Sequence, residues 1–170
     1  MDARSYTRSH CVQGTWGSEC HKDLVRNESD IVVYKGTDPR VDSYSAFYDN
    51  QKLNQTTLLG QLRERKVTHL FLAGLATDVC VAFSALHAAE EGFVVTVVLD
   101  GCAGVSDAGI AEKKEMFTKA GITMVNSSEL PALFAKSSID ELTHAALRVR
   151  KAKELVGVTA MENGHGKPTD

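Results

Sequence analysis

The sequence has no run of apolar residues as long as the roughly 20 that cross a membrane, and residues 1–8 lack the apolar core of a signal peptide. It also has no excess of basic residues, since the formal net charge is −3. Neither glycine-rich phosphate-binding pattern, G-x-G-x-x-G or G-x-x-x-x-G-K-[ST], occurs in it. These absences argue against membrane insertion, nucleic-acid binding and a nucleotide-phosphate site.

Cysteine is sparse as well, with four residues at positions 11, 20, 80 and 102. They are too few and too scattered for a disulfide framework, which favours reduced thiols in a cytoplasmic protein. Cys-His neighbours occur at 10–11 and 20–21, but their spacing does not match a C-x2-C zinc knuckle. A structural zinc site is therefore the less favoured interpretation of this segment.

The sequence does contain alternating strand and helix patterns. Apolar, β-branched runs predict strands at 31–34, 68–73, 93–99 and 122–125, and helical periodicity predicts helices at 53–66, 79–91, 107–120 and 138–155. This alternation predicts one α/β domain with a mostly parallel sheet. No strand pattern precedes residues 10–22, although such a sheet normally starts with a central strand, so that first strand is expected to be missing.

The most informative segment is G-L-A-T-D-V-C-V at 74–81, which joins a predicted strand to a predicted helix. It places Cys80 in the first helical turn, at the carboxyl end of a strand, where open α/β sheets hold their chemistry. Backbone N–H groups and the positive end of the helix dipole favour a thiolate at such a position. The alternative is a small buried cysteine that packs like alanine.

Lys35 is the second candidate, because it directly follows the predicted strand at 31–34 and precedes a glycine. From there its ammonium could point into the same crevice as Cys80 and stabilise a thiolate. The alternative is a solvated lysine at a strand end. The loop after it contains Tyr44 and Phe47, which could stack on a flat ring or simply cover the core.

Four motifs occur in order: H-C-V-Q-G-T-x-G at 10–17, Y-K-G at 34–36, D-S-Y-S-A-F at 42–47, and G-L-A-T-D-V-C-V at 74–81. Together they resemble the nicotinamidase branch of the isochorismatase-like cysteine hydrolases, over residues 10 to about 130. The resemblance implies a three-layer α/β/α fold. It also implies hydrolysis of nicotinamide to nicotinate and ammonia through a cysteine thioester, in NAD salvage.

The resemblance also implies roles for individual residues. Cys80 would be the nucleophile, and Lys35 the lysine of the family's Asp-Lys-Cys triad. The Leu75–Ala76 bond would be cis, with the N–H groups of Ala76 and Cys80 forming an oxyanion hole. Tyr44 would line the nicotinamide pocket, and His10 would be one ligand of a divalent metal, which is zinc, iron or manganese in this family.

Other family features have no counterpart in the sequence. These are the aspartate base that ends the first strand and the D-x-H metal ligands. We therefore expect an N-terminally truncated member with an unrelated leader at 1–9, a hydrolase domain at 10–157 and a disordered tail at 158–170. Activity is expected to be impaired, and a metal is not expected to bind tightly.

Two alternatives stay open: a non-catalytic isoform or paralogue that associates with full-length subunits, and a related hydrolase of another small amide. A homo-oligomer is compatible with either.

Overall fold

The computed structural model describes residues 11–134, and the chain divides into two compact units between Val32 and Val33. In the described part of the first unit, residues 11–32, every side chain is exposed and turns surround one short 3-10 helix, Trp16–Ser18. The predicted helix at 138–155 lies outside the described residues.

The strand predicted at 31–34 does not form, so this prediction was wrong. Residues 31–34 adopt no regular structure, and Val32 and Tyr34 are 47% and 78% exposed. A β-branched run becomes a strand only when a neighbouring segment accepts its backbone hydrogen bonds. Among the described residues, no ladder partner flanks this run.

The second unit contains a parallel sheet, as predicted. Its described strands are β1 (His69–Leu75), β2 (Val94–Ala103) and β3 (Thr123–Val125), in the order β1-β2-β3. Leu70 pairs with Val95 and Leu72 with Val97, and the register then shifts before Gly74 pairs with Cys102. Gly74 has a φ of +124°, a conformation that glycine adopts far more readily than residues with a Cβ.

The described helices of this unit are α1 (Leu58–Glu64), α2 (Ala82–Glu90), α3 (Asp107–Ala120) and α4 (Leu130–Leu133). Helix α1 begins later than predicted because the Asp49 carboxylate accepts the backbone N–H groups of Gln51, Leu53 and Asn54 at 2.8–3.0 Å. These bonds hold residues 49–54 in a turn. No helix within residues 11–134 is long and apolar enough to cross a membrane.

The core lies between the sheet and helices α1–α3. Its buried members are Phe47, Leu59, Val81, Ala82, Ala85, Leu86, Ala88, Phe93, Val95, Val97, Phe117 and Ile122. Both β-α-β crossovers run between neighbouring parallel strands in the same direction, so α2 and α3 pack on one face and contact each other. The α/β fold class with a parallel sheet is thus confirmed, and α2 carries its N-terminus to the carboxyl end of β1.

Phe117 should be a principal contributor to the core, because its side chain is fully buried on α3. Phe117→Ala is expected to lower the free energy of unfolding by about 3–5 kcal/mol, since it removes a large apolar surface and leaves a cavity. Urea denaturation followed by circular dichroism measures this loss. Phe134→Ala, the same change at a ring that is 58% exposed, should cost much less. Equal losses in the two variants would contradict this description of the core.

Candidate active site

The candidate site centres on the turn between β1 and α2. The Leu75–Ala76 peptide bond is cis, and a π-helical turn, Thr77–Val81, follows it. The Ala76 carbonyl accepts the N–H groups of both Val79 and Val81 at 3.0 Å, and the second of these bonds spans five residues. The predicted helix at 79–91 therefore begins as a widened turn that includes Cys80, a feature frequent at functional sites.

Cys80 and Lys35, 45 residues apart in sequence, come together in the structure. The Lys35 Nζ lies 3.5 Å from the Cys80 Sγ and donates a second hydrogen bond to the Ser43 carbonyl at 2.7 Å. Cys80 is half-buried, and Lys35 remains exposed. The ammonium is thus placed to stabilise negative charge on the sulfur, and the thiolate is the nucleophilic form of a cysteine.

A cavity of about 360 Å³ adjoins this pair. Its lining is mostly apolar and comprises Lys35, Ala46, Phe47, Leu58, Leu62, Leu70, Phe71, Leu72, Ala73, Leu75, Cys80, Val81 and Ser84. A small apolar pocket with a few convergent polar groups is the usual form of a small-molecule site. The thiol and the ammonium are both among its polar groups.

Tyr44, the predicted pocket aromatic, lies on the loop that supplies the Ser43 carbonyl. Its ring centroid is 5.5 Å from that of Phe83 on α2, and its backbone N–H donates to Asn50 Oδ1 at 3.0 Å. Ala46 and Phe47 of this loop are among the described residues that line the cavity, whereas Tyr44 is not among them. The structure thus places Tyr44 against the helix that follows Cys80.

The turn is fixed by a buried carboxylate that sequence reasoning missed. Asp78 is 9% exposed, and its two oxygens accept the backbone N–H groups of Val105 at 2.8 Å and Ser106 at 3.1 Å. Burial raises the pKa of this carboxyl, but the backbone hydrogen bonds from Val105, Ser106 and Asp78 itself, with the charge of Lys113, outweigh that effect and hold the pKa below its usual value. Asp78 is therefore an ionised tether between the Cys80 turn and the start of α3.

Glycines let the backbone approach this carboxylate. A Cβ at Gly109 would lie 2.6 Å from Asp78 Oδ2, and one at Gly104 would lie 2.9 Å from Asp78 Oδ1. Both distances are shorter than a side chain can tolerate. A larger residue at either position would push the start of α3 away from the turn.

The other three cysteines are poorer candidates for a nucleophile. Cys102 lies on β2 and packs against the core, where burial raises the pKa of its thiol. Cys11 and Cys20 are exposed and belong to the first unit. Cys80 is the one described thiol within reach of a lysine ammonium.

His10, the predicted metal ligand, lies outside the described residues. Between residues 11 and 134, no three His, Cys, Asp or Glu side chains are grouped as metal ligands would be. The described residues do not by themselves fit a divalent metal site.

Ser84 is the second residue that sequence reasoning missed. Its hydroxyl donates to the Cys80 carbonyl at 2.7 Å and accepts the Ala46 N–H at 2.9 Å. The signal was its position four residues after Cys80, where helical serines commonly hydrogen-bond to the preceding turn. The Asp78 tether had no comparable signal, because its partners lie 27 and 28 residues away.

The site thus combines a half-buried thiol and an ammonium at the carboxyl end of a parallel strand, next to a small cavity. Residues 2–129 match the isochorismatase domain, which is more than half of the chain. The chain therefore belongs to the isochorismatase domain family.

Individual relatives show which members of the family the chain resembles. The chain is 42% identical over 103 residues to the nicotinamidase of Escherichia coli K12, an alignment that covers 61% of this chain and 48% of that protein. A solved structure of a protein from L. infantum in complex with nicotinate shares 35% identity at a TM-score of 0.67, covering 70% of this chain and 60% of that one. The pyrazinamidase of Pyrococcus horikoshii in complex with zinc shares 30% identity at a TM-score of 0.62, covering 69% and 62%. The chain spans about half the length of the curated relatives it matches.

Asp78→Ala is expected to lower the free energy of unfolding at pH 7 by about 2–4 kcal/mol, because two backbone N–H groups lose their acceptor. The pKa of Asp78 is lower in the folded state than in the unfolded chain. Its contribution to the free energy of unfolding is therefore full at pH values above the ordinary carboxyl pKa, and it declines as the pH falls through the lowered pKa. The difference in the free energy of unfolding between the unchanged protein and the variant should therefore become smaller below about pH 4. Urea denaturation at several pH values measures both effects.

The matched control is Asp107→Ala, which removes an exposed carboxylate from the first turn of α3. It should cost less than about 1 kcal/mol. A stability difference for Asp78→Ala that stays constant or widens in acid would contradict the proposed tether.

Proposed function

We propose that this chain is a nicotinamidase-type cysteine amidohydrolase, which converts nicotinamide and water to nicotinate and ammonia. The observation that carries the proposal is the 3.5 Å approach of Lys35 Nζ to Cys80 Sγ, two residues that line a small cavity. The 42% identity to a nicotinamidase supports the substrate. Nicotinate formed in this way would feed pyridine-nucleotide salvage in the cytoplasm.

In the first half of the reaction, the Cys80 thiolate attacks the amide carbon. A carbon–sulfur bond forms, and the carbonyl electron pair moves onto oxygen. When this intermediate collapses, the carbon–nitrogen bond breaks, and nitrogen takes up the proton that the thiol gave up and leaves as ammonia. The Lys35 ammonium stabilises the thiolate before the attack.

In the second half, water attacks the resulting thioester. A carbon–oxygen bond forms and the carbon–sulfur bond breaks. One proton of the water returns to the Cys80 sulfur and the other passes to solvent, so the product leaves as nicotinate. We assign the N–H groups of Ala76 and Cys80 to the oxyanion of both tetrahedral intermediates. Loss of one such donor typically costs about 100- to 1000-fold in rate.

The cavity supports a small flat substrate, since its lining is largely apolar and its volume is about 360 Å³. A pyridine ring would lie among the apolar side chains, with its amide directed at Cys80. Tyr44 does not line the cavity, but its loop supplies Ala46 and Phe47 to the lining, and we assign that loop to the pyridine ring. The nicotinate bound to the similar L. infantum protein supports a pyridine carboxylate as product.

The proton acceptor and a metal are the incomplete parts of this mechanism. In the range 11–134, no Asp or Glu forms an ion pair with Lys35. We therefore propose that turnover by this chain is slow compared with a family member that has a carboxylate beside this pair. No step is assigned to a metal, although zinc is present in the similar pyrazinamidase.

The purified chain is expected to release ammonia from nicotinamide, and Cys80→Ala should reduce the rate by at least about 100-fold, because the nucleophile acts together with the other groups of the site. A coupled glutamate dehydrogenase assay measures the ammonia, and chromatography identifies the nicotinate.

The matched control is Cys20→Ala, which removes an exposed thiol from the first unit and should leave the rate unchanged. A folded chain that releases no ammonia would contradict the proposal, as would an equal loss of activity in both variants.

A further inference from the structure

The hydroxyl of Ser84 joins two segments that the candidate mechanism uses separately. It accepts the N–H of Ala46, on the loop that contains Tyr44, at 2.9 Å. It donates to the carbonyl of Cys80, on the π-helical turn, at 2.7 Å. Ser84 itself is 8% exposed, and both bonds are partly buried beside the cavity. Buried hydrogen bonds of this kind hold their partners at fixed distances.

These bonds belong to a closed ring of contacts. The Lys35 ammonium bonds to the Ser43 carbonyl, on the same loop as Ala46, and also reaches the Cys80 sulfur. Starting from Cys80, the ring runs to Lys35, to Ser43, along the loop to Ala46, to Ser84, and back to the Cys80 carbonyl. The position of the ammonium relative to the sulfur therefore depends on where Ser84 holds the loop.

We propose that Ser84 is a positioning residue, which holds the Lys35 ammonium against the Cys80 sulfur by fixing the loop to the turn that carries the cysteine. The proposal rests on the proposed function in one respect, namely that Cys80 acts as a nucleophile assisted by Lys35.

Other bonds of this loop do not replace this link. Thr56 donates its hydroxyl to the Ala46 carbonyl at 2.6 Å and its N–H to the Phe47 carbonyl at 2.9 Å. Asn50 accepts the Tyr44 N–H. These partners shape the loop itself and attach it to the residues before α1. The Tyr44 ring also packs against Phe83 of α2, but it is the Ser84 hydroxyl that bonds to the Cys80 carbonyl.

The test is a double-mutant cycle on the reactivity of the thiol. Iodoacetamide alkylates Cys80 when the thiolate attacks its methylene carbon and iodide leaves, and mass spectrometry of the peptide gives the rate constant at pH 7. Lys35→Met should lower this rate constant by about 10-fold and Ser84→Ala by about 3- to 10-fold, because each removes the ammonium from its place. If Ser84 acts through Lys35, the double variant should be no slower than Lys35→Met alone.

Two further variants separate positioning from a general loss of packing. Ser84→Thr keeps the hydroxyl, so its alkylation rate constant should stay within about 2-fold of that of the unchanged protein. Ser45→Ala removes a hydroxyl that is 1% exposed and accepts only a bond from within the loop, the Phe47 N–H at 3.0 Å. It should reduce the free energy of unfolding about as much as Ser84→Ala does, yet leave the alkylation rate within about 2-fold.

An unchanged alkylation rate in Ser84→Ala would overturn the proposal. The proposal would also be overturned if the effects of Ser84→Ala and Lys35→Met on the alkylation rate constant were fully additive. The same holds if Ser45→Ala lowered that rate constant as much as Ser84→Ala does, since either result would indicate a merely structural role. Ammonia release is assayed on the same samples. Its absence counts against the proposed function, whereas the alkylation cycle alone decides the role of Ser84.

Discussion

The site depends on one buried carboxylate. Asp78 reaches across from the turn after β1 and accepts the two N–H groups that precede α3. A buried charge of this kind is tolerated only when hydrogen bonds compensate it, so the turn and the start of α3 are fixed together. The glycines at 104 and 109 follow from this constraint, because any Cβ there would meet the carboxylate or its surroundings. Cys80, two residues further on, takes its position from this arrangement.

The reactive pair itself is assembled from irregular structure. Lys35 follows a segment with no strand, and its ammonium is placed by the carbonyl of a loop residue, Ser43. Loops hold catalytic groups well only when a rigid part of the fold positions them. In this chain, α2 provides that support through Ser84, and β1 delivers the cysteine. The placement of the Cys80–Lys35 pair therefore depends on a few hydrogen bonds as well as on the regular elements.

The sequence was a good guide to elements whose pattern is local. The strands around 68–73, 93–99 and 122–125 and the helix at 107–120 form within a few residues of their predicted limits, because apolar periodicity matches a core formed by those same residues. The strand at 31–34 failed because strand formation needs a partner that the local pattern does not specify. Cys80 and Lys35 were singled out from their places at predicted strand ends and from the family motifs, and the structure places their side chains 3.5 Å apart. Asp78 escaped notice because its partners are distant in sequence, where periodicity carries no information. For Ser84, the spacing of four residues from Cys80 was a local signal, but its bond to Ala46, 38 residues away, had none.

The central claim is that Cys80 is the thiol that meets the amide. The most direct test is protection of the four cysteines from alkylation by iodoacetamide as nicotinamide is added, followed residue by residue by mass spectrometry. The account predicts that Cys80 is protected in a saturable way, while the exposed thiols Cys11 and Cys20 react at the same rate throughout. A folded chain in which saturating nicotinamide leaves the alkylation of Cys80 unchanged would contradict it.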